Sequence, residues 1–409
     1  MKIPLNRKIE SLSHSVTLEL NSLLQQLREE GKRVFNLTAG QLPYRPPEEF
    51  VGQIQEETKF LQNFQYSPVA GMKDLREKLW RYWVGQRQLM AQNPFVSQMK
   101  CFVSNGGKQA LFNIFSTILN PEDEVIVVSP FWLSYPDLIY LAGGRAVFWE
   151  AKLYEGLVPD CQELEALITP KTKAIVINSP NNPAGIHYSE EWMKEFASIV
   201  KKYPSLFLIS DEIYYEVCYF DPAPTYFYSF DPSLLERTFI VDGISKKLAS
   251  TGLRLGYAFA PEAYFSPIES FQGHITSGPN TLVQHALLNF DLLNIQDYLR
   301  PIKYQLRNNA EKLLEMLRPL VDPSLLYRPS SAFYYILDLS PFPCFPKIKE
   351  EDKKDYSPEI CRKLLEKTGV GLVPGGPFGR PNSVRLSLVM DEIPFQEALN
   401  RLRNFLTLT

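Results

Sequence analysis

The side chains that could do chemistry in this sequence stand at the ends of apolar runs. Lys173–Asn178 (KAIVIN) leads into NSPNNPAG with Asn182, and Leu206–Ser210 (LFLIS) leads into DEIYYE with Asp211 and Tyr214. Thr238–Val241 (TFIV) leads into DGISKKLASTGLRLGY with Lys246 and Arg254. In a parallel sheet these strand ends share one edge, so an amine, a carboxylate, a phenol, an amide and a guanidinium could converge there. An amine in such a place can form a covalent link to a carbonyl carbon or move a proton. Each residue alone has an ordinary reading. NNP is a turn, an Asp after a strand is a helix cap, and adjacent lysines are a solvated surface. Order and placement together point to a site. Composition does not choose between Lys246 and Lys247 as the reactive amine.

A further segment, Cys101–Ala110 (CFVSNGGKQA), reads as a short strand, a glycine turn and a helix starting near Lys108. Gly106 and Gly107 let backbone N–H groups approach an anion, and a helix start adds partial positive charge. By itself this is a plain strand–turn–helix connection. Beside Arg254 it becomes a candidate phosphate cup.

These residues need elements to position them. The β-type runs are Glu124–Ser129, Ala146–Trp149, Lys173–Asn178, Leu206–Ser210, Thr238–Val241 and Tyr257–Ala260. They are continuously apolar, which suits strands buried on both faces. Helical faces lie between them: Leu111, Ile114, Phe115, Ile118 and Leu119, then Trp192, Phe196, Ile199, Val200 and Tyr203. The alternation predicts an α/β fold with a mostly parallel sheet between helices and a ligand beyond the carboxyl ends of the strands. After about Phe290 the pattern changes. Ile302, Leu306, Leu313 and Leu317 mark a long helix, followed by a polar loop over Pro341–Pro358. A smaller α+β domain is expected over 296–409, with residues 1–40 joining it and 41–295 forming the large domain.

The bulk numbers bound the function. The chain has 409 residues, 45% apolar and 22% charged, with a formal net charge of −3. It can bury a large core, and it has no general attraction to nucleic acid or anionic membrane. Five scattered cysteines without a C-x-x-C pair read as free thiols in a reducing compartment. The first fifteen residues, MKIPLNRKIESLSHS, lack an apolar stretch of signal-peptide length, and no run approaches a membrane span. A soluble cytoplasmic protein is expected.

Taken together, the motifs resemble those of the class I aminotransferases of pyridoxal-phosphate fold type I, most closely the bacterial aspartate aminotransferase branch. The matching pieces are LTAGQ at Leu37–Gln41, QYSPVAG at Gln65–Gly71, SNGGKQALFN at Ser104–Asn113, SPFWLSYPD at Ser129–Asp137, NSPNNPAG at Asn178–Gly185 and SDEIY at Ser210–Tyr214. SK…TGLRLGY at Ser245–Tyr257, PSSAFYY at Pro329–Tyr335 and VRLSL at Val384–Leu388 complete the set in the family's order. The resemblance implies a seven-stranded, mostly parallel sheet and pyridoxal 5′-phosphate as cofactor.

It also implies roles. Lys246, eight residues before Arg254, is similar to the Schiff-base lysine and proton shuttle. Asp211 is similar to the partner of the pyridine nitrogen. Asn182 and Tyr214 resemble the partners of the ring's 3-oxygen, and Trp132 the aromatic that stacks on the ring. Arg254, Ser245, Gly106, Gly107 and Lys108 fall at the cofactor's phosphate side. Tyr66 resembles a tyrosine that reaches the neighbouring subunit's phosphate, which implies a homodimer with shared sites. Arg385 is similar to the arginine that grips the substrate α-carboxylate, with Gly40 closing over it and Trp132 and Asn182 beside it.

The implied reaction is ping-pong transamination, aspartate plus 2-oxoglutarate giving oxaloacetate plus glutamate. Lys108 in GGKQA is similar to a lysine that faces the side-chain carboxylate, and Ser15 and Thr17 are expected nearby. Some positions depart from the family pattern: Gln41-Leu42-Pro43, Ala184, Ser331, Leu253 and Lys247. None removes a catalytic group, but Gln41-Leu42-Pro43 borders the substrate. Alternatives on the same scaffold are an aminotransferase for aromatic amino acids, prephenate or alanine, and a carbon–sulfur β-lyase. A regulator built on this fold would carry a DNA-binding domain ahead of it, and only some 35 residues precede the first motif.

Overall fold

The computed structural model describes residues 6–10, 12, 16–346 and 354–408. Ser15 and the side chain of Thr17 lie outside that description, so their expected place near the substrate is not addressed.

The apolar runs form the strands of a seven-stranded sheet. They are β1 (Met99–Ser104), β2 (Glu124–Ser129), β3 (Arg145–Glu150), β4 (Thr172–Asn178), β5 (Phe207–Asp211), β6 (Thr238–Gly243) and β7 (Gly256–Pro261). Their order is β1-β7-β6-β5-β4-β2-β3. Strand β7 runs antiparallel to both neighbours, and the other neighbouring pairs are parallel.

Alternate residues of each inner strand enter different cores, which is why the runs are apolar throughout. Ile126 and Val128 join one cluster with Ile175, Ile177 and Leu208. Val125 and Val127 join the other with Ala174, Val176 and Ile209. The two helical faces cover opposite sides. Helix α1 (Gly107–Ile118) packs Leu111, Ile114 and Phe115 into the second cluster. Helix α2 (Glu190–Val200) packs Trp192, Phe196 and Val200 into the first. Each such side chain contributes roughly 1.5–3 kcal/mol on burial. Leu119 and Tyr203, read as part of these faces, lie just beyond the helices.

The smaller domain is built on the long helix α3 (Asn294–Leu317), which buries Ile302, Leu306, Leu313 and Leu317 along one side. Helix α3 packs on α5 (Glu392–Leu406), which also contacts α4 (Ser357–Thr368). A three-stranded antiparallel sheet accompanies them: β8 (Tyr334–Asp338), β9 (Val373–Pro374) and β10 (Ser383–Ser387), in the order β9-β10-β8. The expected loop ends earlier than Pro358, because Ser357 and Pro358 open α4, where proline's missing N–H costs nothing. Phe35–Asn36 pairs with Val370–Gly371, so the N-terminal segment is tied to this domain. Among the described residues no helix is long and apolar enough to cross a membrane.

Candidate active site

Strands β1, β2, β4, β5 and β6 end on one edge of the large sheet, and the reversed β7 begins there. The segments after five strand ends and the residues before β7 therefore meet, and a cavity of about 400 Å³ opens between them.

Asp211 closes β5 and is 5% exposed. Tyr135 Oη donates to its Oδ2 at 2.5 Å, and the Ile213 N–H donates to its Oδ1 at 3.3 Å. Loss of water outweighs these bonds and raises the carboxyl pKa to about 6. Lys246 follows β6. Its ammonium donates to the Gly40 carbonyl at 2.6 Å and lies 5.6 Å from the ring centres of Tyr214 and Phe333. Burial, then repulsion from Arg385 and Arg254, lower its pKa to about 8, with Asp211 opposing.

Lys247 corrects the surface reading of the lysine pair. It is 2% exposed and turns away from the cavity to donate to Asp242 Oδ2 at 2.6 Å and Glu216 Oε1 at 3.2 Å. Adjacent side chains leave the backbone in different directions, so only one of the two faces the pocket.

Asn182 is held by its neighbour in the motif: its N–H donates to Asn178 Oδ1 at 2.9 Å. Its Nδ2 donates to Tyr214 Oη at 3.4 Å, and that oxygen also lies 3.2 Å from Tyr334 Oη. Arg385 enters from β10 and is 4% exposed. Its Nη1 donates to Asn182 Oδ1 at 3.2 Å and its Nη2 to the Thr38 carbonyl at 3.0 Å. Its Nε is buried without a partner, and among the described residues no carboxylate pairs with it. A guanidinium removed from water with a donor unfilled disfavours its own charge. An arriving anion would relieve that cost.

Trp132 meets Tyr135 edge to face at 5.3 Å, and Lys108 Nζ sits 5.0 Å from the Trp132 ring centre. Burial, then Arg254, lower the Lys108 pKa. Gly106 has φ +87°, and a Cβ there would stand 2.7 Å from Arg254 Nη2. Gly107 opens α1, Ser245 is buried, and Arg254 donates to the Thr251 carbonyl at 3.0 Å. Glycine turn and guanidinium thus lie side by side at the mouth of α1.

Of the described residues expected at the site, all but two line the cavity. Gly106 lies behind Arg254. Tyr66 is 93% exposed and lies on a separate surface with Phe64 and Asn280. The lining carries four cations, Lys108, Lys246, Arg254 and Arg385, against one carboxylate, Asp211. Another cavity, of about 520 Å³, lies outside β1 against Arg76, Trp80 and Lys100 and shares no residue with this set.

The sequence reading missed Tyr135, Asn178, Tyr334 and Gly256. Tyr135 and Asn178 sit inside quoted motifs, three residues from Trp132 and four from Asn182, so spacing held a signal. Gly256 is different. A Cβ there would stand 2.3 Å from the Gly106 carbonyl carbon and the Gly107 nitrogen, a contact visible only in three dimensions.

Comparison with known proteins agrees with this geometry. The family model described as aminotransferase class I and II matches residues 32–402. The aspartate/prephenate aminotransferase of Thermus thermophilus is 35% identical over 97% of both chains. The aspartate aminotransferase of Thermotoga maritima is 35% identical over 98% of this chain and 99% of its own. The solved aspartate aminotransferase from Thermus thermophilus with maleate superposes with a TM-score of 0.87 at 33% identity, covering 99% of this chain and 100% of that one.

Proposed function

The chain belongs to the class I and II aminotransferases, and from that premise we propose that its amino donor is aspartate, its acceptor is 2-oxoglutarate, and Lys246 is the residue that holds its cofactor. The observation that carries this reading is the charge balance of the pocket, four cations around one carboxylate. Such a pocket suits ligands that bring several negative charges: a phosphate, an α-carboxylate and a side-chain carboxylate.

The residues present fit pyridoxal 5′-phosphate, the cofactor implied by the family. A glycine turn that a Cβ would close lies against Arg254, which is a cradle for the phosphate. Asp211 is a buried anion suited to a protonated ring nitrogen, and the lowered pKa of Lys246 favours a free amine. When bound, pyridoxal 5′-phosphate supplies an aldehyde carbon for amines and a ring that draws electrons from the neighbouring carbon.

The rest of the task falls to the chain's own side chains. Lys246 would hold the cofactor through its amine and would carry the substrate's α-proton on Nζ. Asp211 keeps the ring nitrogen protonated, with Tyr135 fixing its orientation. Asn182 and Tyr214 would serve the ring's 3-oxygen, and Trp132 would offer its face for stacking. Gly106, Gly107, Ser245 and Arg254 take the phosphate. Arg385 takes the α-carboxylate, presented with Gly40, and Lys108 takes the side-chain carboxylate of a dicarboxylic donor. A related enzyme solved with maleate, itself a dicarboxylate, supports that last role. The same Lys108 can swing aside from Trp132, and relatives named aspartate/prephenate aminotransferase support prephenate as a second acceptor. The exposed Tyr66 supports a two-fold dimer in which it reaches the neighbour's phosphate.

A panel of amino donors against 2-oxoglutarate tests the reading. Aspartate should give the highest kcat/KM. A preference for alanine, or pyruvate and ammonia from cystathionine, would replace it.

A further inference from the structure

Lys247 is a departure from the family pattern, since a small residue is common after the cofactor lysine. Its surroundings are built rather than incidental. Its ammonium donates to Asp242 Oδ2 at 2.6 Å, Tyr257 Oη at 3.1 Å and Glu216 Oε1 at 3.2 Å. Lys247, Asp242 and Glu216 are each 5% exposed or less. Neighbouring elements complete the cage. Tyr82 Oη donates to Glu216 Oε1 at 2.8 Å, Gln296 Nε2 to Glu216 Oε2 at 3.1 Å, and Tyr257 Oη to Asp242 Oδ2 at 2.9 Å. Lys303 and Arg87 add positive charge near Glu216, and Asp211 lies near enough to Asp242 to feel its charge.

One carboxylate ties both ends of the turn that carries the two lysines. Asp242 Oδ1 accepts the N–H of Gly243 at 2.7 Å, where the turn begins, and Oδ2 accepts Lys247 Nζ at 2.6 Å, where it ends. Lys246 sits inside this closed loop, one residue before the clamp. We propose that Lys247 is a positioning residue: closing the Asp242–Glu216 cage behind the turn, it fixes the backbone that aims Lys246 at the pocket and offsets the negative charge of Asp242 felt at Asp211. This rests on the reading of Lys246 as the cofactor lysine.

The test uses full-length enzyme loaded with pyridoxal 5′-phosphate, comparing Lys247→Met, which removes the charge, with Lys247→Arg, which restores it. Borohydride first fixes the cofactor to whichever lysine carries it, and mass spectrometry locates it. Cofactor on a lysine other than Lys246 sinks the underlying assignment. With Lys246 labelled, Lys247→Met should release cofactor on the order of tenfold faster at a temperature where it remains folded. The pH midpoint of its visible absorbance should shift by about half a unit or more. Lys247→Arg should recover both readings. A lower unfolding temperature with release rate and pH midpoint unchanged would make Lys247 merely structural and overturn the proposal. If Lys247→Met does not fold, the double variant Lys247→Met/Asp242→Asn removes the tie without leaving Asp242 as a lone buried anion. In that variant the release rate decides: release on the order of tenfold faster supports the proposal, and a rate unchanged from the wild type overturns it.

Discussion

An ordinary lysine is almost wholly charged at pH 7, whereas a group with a pKa of about 8 is neutral in roughly a tenth of molecules. In protein stripped of cofactor, labelling of Lys246 by an amine reagent should therefore rise with a midpoint near 8, while surface lysines rise at about 10.4. A shared midpoint would remove the case for an activated amine. The shift has a stability counterpart. The depressed pKa penalises folding fully below about 8, and the penalty fades as pH rises toward the unfolded value of about 10.4. Lys108→Ala should lower kcat/KM for aspartate by roughly 10–100-fold, while an aromatic donor loses much less. Equal losses would assign Lys108 to the cofactor or the fold. Most of these residues were legible because they end apolar runs inside dense motifs. The direction of Lys247 was not, since its partner Glu216 lies 31 residues away and no local pattern shows which way a side chain turns.

The inner apolar runs were readable as strands because both faces of the sheet are covered there, so every position is selected for burial, whereas the run Ala146–Trp149 forms an edge strand with Phe148 exposed. The reversal of β7 was not readable, for an apolar run has the same signature in either direction. Yet that reversal matters: it brings Arg254 and Gly256, at the start of β7, to the edge where the other strands finish. The two glycines of the cup should respond differently to a methyl group. In Gly106→Ala the new Cβ meets a guanidinium that can move, and the backbone at φ +87°, ψ 160° lies in a region essentially reserved for glycine, adding on the order of 1–3 kcal/mol of strain. Affinity for pyridoxal 5′-phosphate, measured by calorimetry on stripped protein, should fall on the order of tenfold, with a smaller fall in Tm than in Gly256→Ala. In Gly256→Ala the Cβ meets backbone at 2.3 Å, so Tm should fall as well as affinity. Equal Tm values for the two variants would show that the cup is looser than its contacts imply.

At the scale of the whole molecule, the chain exposes Tyr66 to solvent and leaves it off its own pocket. If Tyr66 serves a neighbour, refolding inactive Tyr66→Arg together with inactive Lys246→Ala should restore partial activity, because a mixed dimer holds one site with both residues intact. No recovery in demonstrated mixed dimers would mean that each site is built within one chain. Such an assembly can be expected from the sequence only through the motif around Tyr66, since hydrophobic patterning speaks of a chain's own core. The imbalance of four cations to one carboxylate reaches beyond catalysis. A stripped pocket of that kind behaves as a small ion exchanger, and sulfate or phosphate from a storage buffer becomes its counter-ion. Reloading with cofactor should slow as such anions are raised, more steeply for sulfate than for chloride, so the buffer in which the enzyme is kept sets how quickly it regains its colour.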